Sequence, residues 1–144
     1  MNTTVVLLVD DEVAFVETMT KRLSKRNLAI LKAYNGEEAL ERLAEQRSVD
    51  IVILDLKMPG PDGIQTLREI KRNHPLVEVI VLTGHGSVET GIEAMRLGAF
   101  DYLSKPCNID QLMVKIQEAK SIKRKREEKI TQARIKEIAM QRCE

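Results

Sequence analysis

The chain has 144 residues and a formal net charge of +1, with aromatics at 3% and no Trp. That length supports one domain burying about 68–70% of its unfolded surface, and so few aromatics exclude stacking platforms for bases or sugars. The charge is split unevenly: residues 1–119 carry 14 basic and 18 acidic groups (−4), whereas residues 120–144 carry 9 and 4 (+5).

Val5-Val6-Leu7-Leu8-Val9 is a continuous apolar run of the kind a buried parallel strand needs, and it ends on Asp10, Asp11 and Glu12. Val13, Val16, Met19 and Leu23, flanked by Phe15, recur at helical spacing and predict an amphipathic helix to about Arg26. Ala29 to Ala33 reads as a less apolar strand nearer a sheet edge, and Asn35-Gly36 as a turn. Glu37 to Glu45 is a second helix with Ala39, Leu40 and Leu43 on one face. Asp50 to Leu54 is a strand with apolar side chains on both faces, and it stops on Asp55. Pro59-Gly60-Pro61-Asp62-Gly63 then forms a rigid loop, and Ile64, Leu67 and Ile70 stripe a third helix that ends near His74-Pro75. Val77 to Leu82 is the fourth strand, terminating at Thr83-Gly84-His85-Gly86. Ser87 caps a fourth helix carrying Ile92, Met95 and Leu97, which Gly98 stops at the C′ position. A brief fifth strand, Asp101 to Ser104, leads to Lys105-Pro106, and Asn108 with Gln111 opens the last helix as a capping box does.

Five strands alternating with helices predict an α/β fold, (βα)5, with a parallel five-stranded sheet, right-handed crossovers and helices on both faces. That architecture brings every strand's carboxyl end to one rim, where open sheets of this kind bind ligands. Asp10, Asp11, Asp55, Thr83 and Lys105 therefore converge. Carboxylates 4 Å apart repel by about 4 kcal/mol per pair at an effective dielectric near 20. A hard divalent cation offsets this best, and Mg²⁺ suits the oxygen donors better than Zn²⁺, for which no His or Cys is at hand. A cation, the Lys105 ammonium and the Thr83 hydroxyl around Asp55 make a phosphoryl site, with Asp55 as the nucleophile that becomes an acyl phosphate. Any one of these residues alone has an ordinary reading: a turn-capping acid, a helix-starting pair, a strand-end threonine, a surface lysine. Together on one rim they do not.

The pieces Val9-Asp10-Asp11-Glu12, Ile53-Leu54-Asp55-Leu56-Lys57-Met58-Pro59, Asp62-Gly63, Leu82-Thr83, Gly98-Ala99-Phe100-Asp101-Tyr102 and Leu103-Ser104-Lys105-Pro106 closely resemble those of bacterial two-component response-regulator receiver domains. The resemblance covers residues 5–119 in the family's order. It implies strand order 2-1-3-4-5 and a flavodoxin-like receiver fold. It also implies Asp55 as phosphoacceptor, with Asp11, Asp55 and the Lys57 carbonyl on Mg²⁺ and Asp10 acting through water. Thr83 would bond the phosphoryl group and Lys105 would pair with it, with a cis peptide between Lys105 and Pro106. Tyr102 is similar to the family's switch aromatic, which would turn inward with Thr83 and reshape the face of the fourth helix, fifth strand and fifth helix. The details around Thr83 to Gly86 and Gly91 to Met95 are most similar to receivers of σ54-dependent transcription activators. Pro61 departs from the bulky apolar residue usual there, which bears on the fit of a kinase.

The resemblance further implies a phosphorylation-activated module that accepts phosphate from a sensor histidine kinase and controls dimerisation and transcriptional output. Its only enzymatic chemistry would be Mg²⁺-dependent self-phosphorylation and autodephosphorylation at Asp55. Two rivals lose on charge. A phosphatase or phosphotransferase with an aspartyl phosphate needs an acid two residues after its nucleophile, where this chain has Lys57, and an FMN carrier needs a phosphate loop where Asp10-Asp11-Glu12 would repel it. A stand-alone receiver without DNA output remains the alternative form of the leading reading.

Residues 1–122 read as the receiver and 123–144 as a helical extension or linker. The run Lys120 to Arg126 leads straight into Glu127-Glu128 with helix formers following, which favours an extended last helix over a nucleic-acid contact. From Ile116 its heptad positions are Lys123, Arg126, Ile130, Ala133, Glu137 and Met140, a weak seam for a homodimer. His74 and His85 read as solvated residues, and Cys107 and Cys143 as free thiols of a reducing compartment. No apolar run approaches the ~20 residues of a membrane span, and the N-terminus has no basic lead or hydrophobic signal core. The expected location is cytoplasmic.

Overall fold

A computed structural model describes residues 3–57, 63–84 and 88–142. Its elements are β1 (Thr4–Val9), α1 (Val13–Ser24), β2 (Leu28–Ala33), α2 (Gly36–Glu45), β3 (Ile51–Leu54), α3 (Gly63–Asn73), β4 (Glu78–Thr83), α4 (Val88–Arg96), β5 (Asp101–Ser104) and α5 (Ile109–Arg142). All pairings are parallel and the order is β2-β1-β3-β4-β5. This is the predicted doubly wound receiver architecture, with β2 at an edge. The expectations placed on Met58, Pro59-Gly60, Pro61, Asp62, His85, Gly86, Ser87 and Cys143 lie outside the described residues.

Strand alternation divides the core in two, because successive side chains point to opposite faces. Leu7, Val9, Val52, Leu54, Val79 and Val81 pack with Ala39, Leu43, Leu67, Ile70 and Ala94 from α2, α3 and α4. Val6, Leu8, Ile51, Ile53, Ile80 and Leu82 pack on the other face with Val16, Met19, Leu23, Leu112 and Ile116 from α1 and α5. Every residue of β3 is at most 1% exposed. The strand is therefore a fixed support for whatever follows it.

Several local expectations change. Asn35-Gly36 is a helix start instead of a turn: the Asn35 side chain accepts the Glu38 N–H at 2.8 Å, and Glu38 Oε1 accepts the Tyr34 N–H at 3.0 Å. The first bond satisfies an orphan donor of the helix, and the second ties the residue before the N-cap to the helix's third position. Helix α1 stops at Ser24, two residues early, where Asn27 adopts φ 63 ahead of β2. Val13, Ile92 and Met95 do not face the core, being 58%, 48% and 45% exposed. On α4 the inward positions are the small residues Gly91 and Ala94, which let the helix lie close to the sheet.

Gly98 stops α4 as predicted. Its φ is +104, its N–H donates to Met95 O at 3.1 Å, and the Ala99 N–H donates to Ala94 O at 3.1 Å, the two bonds of a Schellman ending. Asn108 Oδ1 accepts from the N–H groups of Asp110 and Gln111, which starts α5. That helix runs unbroken through positions 122 and 123 to Arg142.

Candidate functional site

The rim at the carboxyl ends of β1, β3 and β4 holds the predicted residues. Asp10 follows β1 and is 1% exposed, Asp55 follows β3 and is 5% exposed, and Thr83 ends β4 at 2%. Backbone bonds hold these strand ends in place: the Asp55 N–H donates to Val9 O at 3.0 Å, and the Lys105 N–H donates to Thr83 O at 3.0 Å. Gly63 packs α3 against the backbone of Leu56. A Cβ there would lie 2.2 Å from Leu56 Cα, so only glycine lets α3 start against the residue after Asp55.

Asp10, Asp11 and Asp55 each present a carboxylate oxygen, all within 4.8 Å of one another, with Asp11 exposed. An all-oxygen set with one open, solvated side fits a hard cation such as Mg²⁺ and does not fit Zn²⁺. Lys105 supplies the countercharge. Its Nζ lies 2.6 Å from Asp10 Oδ2, 3.3 Å from Glu12 Oε1 and 3.7 Å from Asp55 Oδ2, and 4.0 Å from the centroid of the Phe15 ring. The Lys105–Pro106 peptide is cis.

Burial lifts the Asp10 carboxyl above the usual carboxylate range, outweighing the hydrogen bonds it accepts from Lys105 and the Glu12 N–H. Burial acts to lower the Lys105 ammonium, but its bond to Asp10 and the Asp10 and Asp55 charges hold it above the ordinary lysine value. Lys57 is exposed, and its N–H donates to Asp55 Oδ1 at 3.1 Å. Two residues of this site were not singled out from sequence. Phe15 shields the ammonium from water one turn into α1, and Glu12 reaches the same ammonium. Glu12 stands among the strand-ending acids of the sequence, and Phe15 follows them within one helical turn.

Tyr102 lies on β5 with its ring under α4. A Cβ on Gly91 would lie 3.3 Å from the ring, so glycine makes room for the inward aromatic. The Tyr102 hydroxyl is buried without a hydrogen-bond partner among the described residues, and burial, then the Asp55 charge, raises its pKa. Beside it, α4 and β5 border an apolar groove of about 680 Å³ that includes Val88, Ile92, Met95 and Tyr102. His74 is half-buried just past α3, and Cys107 is a free, half-buried thiol.

Residues 6–117 match the family described as the response regulator receiver domain. The chain belongs to that family. It is 35% identical over 135 residues to the transcriptional regulatory protein ZraR of Klebsiella oxytoca, covering 94% of this chain and 30% of that protein. It is 36% identical over 115 residues to the DNA-binding transcriptional regulator NtrC of Escherichia coli K12, covering 80% and 24%. The chain thus spans between about a quarter and three tenths of these transcriptional regulators. Among solved structures, a receiver domain protein from Clostridium thermocellum matches with TM-score 0.80 and 38% identity, covering 84% of this chain and 97% of that one. NtrX from Brucella abortus matches with TM-score 0.81 and 31% identity, covering 88% and 29%. Receiver domains of this family are phosphorylated on aspartate, and no helix of the described residues is long and apolar enough to cross a membrane.

Proposed function

We propose that Asp55 is the phosphoacceptor of this receiver and that the donor is a phosphohistidine on a sensor histidine kinase. The observation that carries this reading is the rim itself. One buried carboxylate ends the central strand β3, two more acids lie within 4.8 Å, and a single ammonium stands 3.7 Å from it. An oxygen of Asp55 attacks phosphorus, the N–P bond of the donor breaks, and the imidazole leaves with its electron pair and takes up a proton. The product is an acyl phosphate. Lys105 would shift from Asp10 toward the new phosphoryl oxygens, and Thr83, at the end of the adjacent strand β4, would bond one of them.

Asp11, Asp55 and the carbonyl of Lys57 would hold Mg²⁺, with Asp10 in the outer sphere. Mg²⁺ there would neutralise charge on the transferring group. Thr83 and Tyr102 would then form the switch: the Tyr102 hydroxyl is buried without a partner among the described residues, and its ring borders the groove between α4 and β5. The face of α4, β5 and α5 is the proposed homodimer surface. Its apolar, half-exposed Ile92 and Met95 are what such a contact would cover. Residues 1–122 serve as the receiver and 123–144 as the linker to a transcriptional output.

Incubation with radiolabelled acetyl phosphate and Mg²⁺ tests the acceptor. Label enters the wild type and not Asp55→Asn; equal labelling of the variant would end the assignment. Sedimentation with and without beryllofluoride tests the dimer switch separately, and an unchanged profile would remove it.

A further inference from the structure

The core-facing line of α5 changes character as it passes the sheet. Leu112, Met113, Ile116 and Ala119 are apolar and buried; the next residues on that line are Lys120, Lys123 and Arg126. They meet two buried acids at the amino-terminal edge of the sheet, Asp50 just before β3 and Glu78 at the start of β4, 5% and 2% exposed. Asp50 Oδ1 accepts from Lys120 Nζ at 2.8 Å and Lys123 Nζ at 2.9 Å, and its Oδ2 accepts from the Val5 N–H at 2.9 Å. Glu78 pairs with Arg126. The two strands are tied at this point, since the Glu78 N–H donates to Asp50 O at 3.2 Å. Beyond Lys123 every described residue of the helix is exposed.

We propose that Asp50 and Glu78 form an ionic clasp that fixes the root of the α5 extension, making residues 128–142 a rigid arm whose direction is set by β3 and β4. Two attachment points restrict more than one would. Lys120 and Arg126 are six residues apart, about 9 Å along the helix axis, so pairing to adjacent strands opposes both bending and rotation of the arm. The arm itself is about 22 Å long and makes no core. Released at its root, a helix of that length and polarity is marginal in water. Geometry also ties the arm to the rim: β3 carries Asp50 at one end and Asp55 at the other, about 16 Å away, and β4 carries Glu78 and Thr83 likewise. The heptad positions Lys123 and Arg126 are engaged with the sheet, so they do not belong to a seam with a second helix.

The clasp is independent of the phosphoacceptor assignment, and its test reads only the arm. In the full chain with Cys107 and Cys143 replaced by serine, nitroxides at Glu41→Cys on α2 and Gln132→Cys on the arm report a distance distribution by double electron–electron resonance. The parent gives one narrow peak. In Asp50→Asn, or in Glu78→Gln with Arg126→Gln, the width grows about twofold or more as the freed helix bends and frays. Circular dichroism confirms folding. Should Asp50→Asn fail to fold, the Glu78→Gln/Arg126→Gln pair, which exchanges an ion pair for neutral groups, carries the test. A broad parent distribution, or an unchanged width in a folded variant, overturns the proposal; lost thermal stability without broadening would show the pairs to be mere fastening.

Discussion

The two ends of the same sheet bury acids and use them in opposite ways. At the carboxyl rim Asp10, Glu12 and Asp55 share one ammonium, Lys105, with exposed Asp11 beside Asp10 and Asp55. At the amino edge Asp50, Glu78 and Glu127 meet three cations, Lys120, Lys123 and Arg126. The rim is left with surplus negative charge, which calls for a cation and which only binding can neutralise. The edge is compensated within the fold. Burial alone therefore does not mark a functional acid; the shortage of countercharge does.

The largest break in this comparison should come from removing the ammonium of Lys105 that pairs with Asp10, Glu12 and Asp55. Lys105→Ala should slow labelling from acetyl phosphate by about 100-fold, the scale of losing one donor to a developing charge, measured from initial rates at saturating Mg²⁺. A rate within a few-fold of wild type would make Lys105 structural. The edge should answer with stability instead. Asp50→Asn should cost about 2 kcal/mol, less than a fully buried broken pair because Lys120 and Lys123 regain water, and should lower Tm by about 6 °C, while labelling persists.

Titration sharpens the same point. Lys120, Lys123 and the Val5 N–H outweigh burial and hold the Asp50 carboxyl below its ordinary value. A depressed acid stabilises the fold above its unfolded pKa and loses that contribution as pH falls through the folded one. The Tm gap between wild type and Asp50→Asn should thus be full at neutral pH and shrink below about pH 4. The smallest effect has the opposite sign. Asp11→Asn relieves repulsion on an exposed side of the rim, so without Mg²⁺ it should leave stability unchanged or raise it by up to about 1 kcal/mol, while weakening Mg²⁺ binding by calorimetry.

The rim was legible in the sequence because its grammar is local: an apolar run that ends on a carboxylate states both the strand and its terminus. The edge was not. Asp50 reads as the first residue of a strand and Lys120 to Arg126 as an undivided basic run, because a pairing across 73 residues leaves no periodic trace. A trace did exist in the heptad line from Ile116, which turns cationic where the helix leaves its core, and in Glu78, an acid opening a wholly buried strand. Asn35-Gly36 misled for a different reason, since asparagine before glycine suits a turn and a helix cap equally. Ile92 and Met95 are hydrophobic but exposed, whereas Gly91 and Ala94 are the residues that face the sheet.

Borohydride trapping tests the central claim most directly. Reduction of the phosphorylated, Mg²⁺-loaded chain converts an aspartyl phosphate to homoserine, which peptide mass spectrometry locates. The charge-deficient rim predicts homoserine at position 55 and aspartate unchanged at position 50. Homoserine elsewhere, or none at 55 in protein that carries label, would contradict the account.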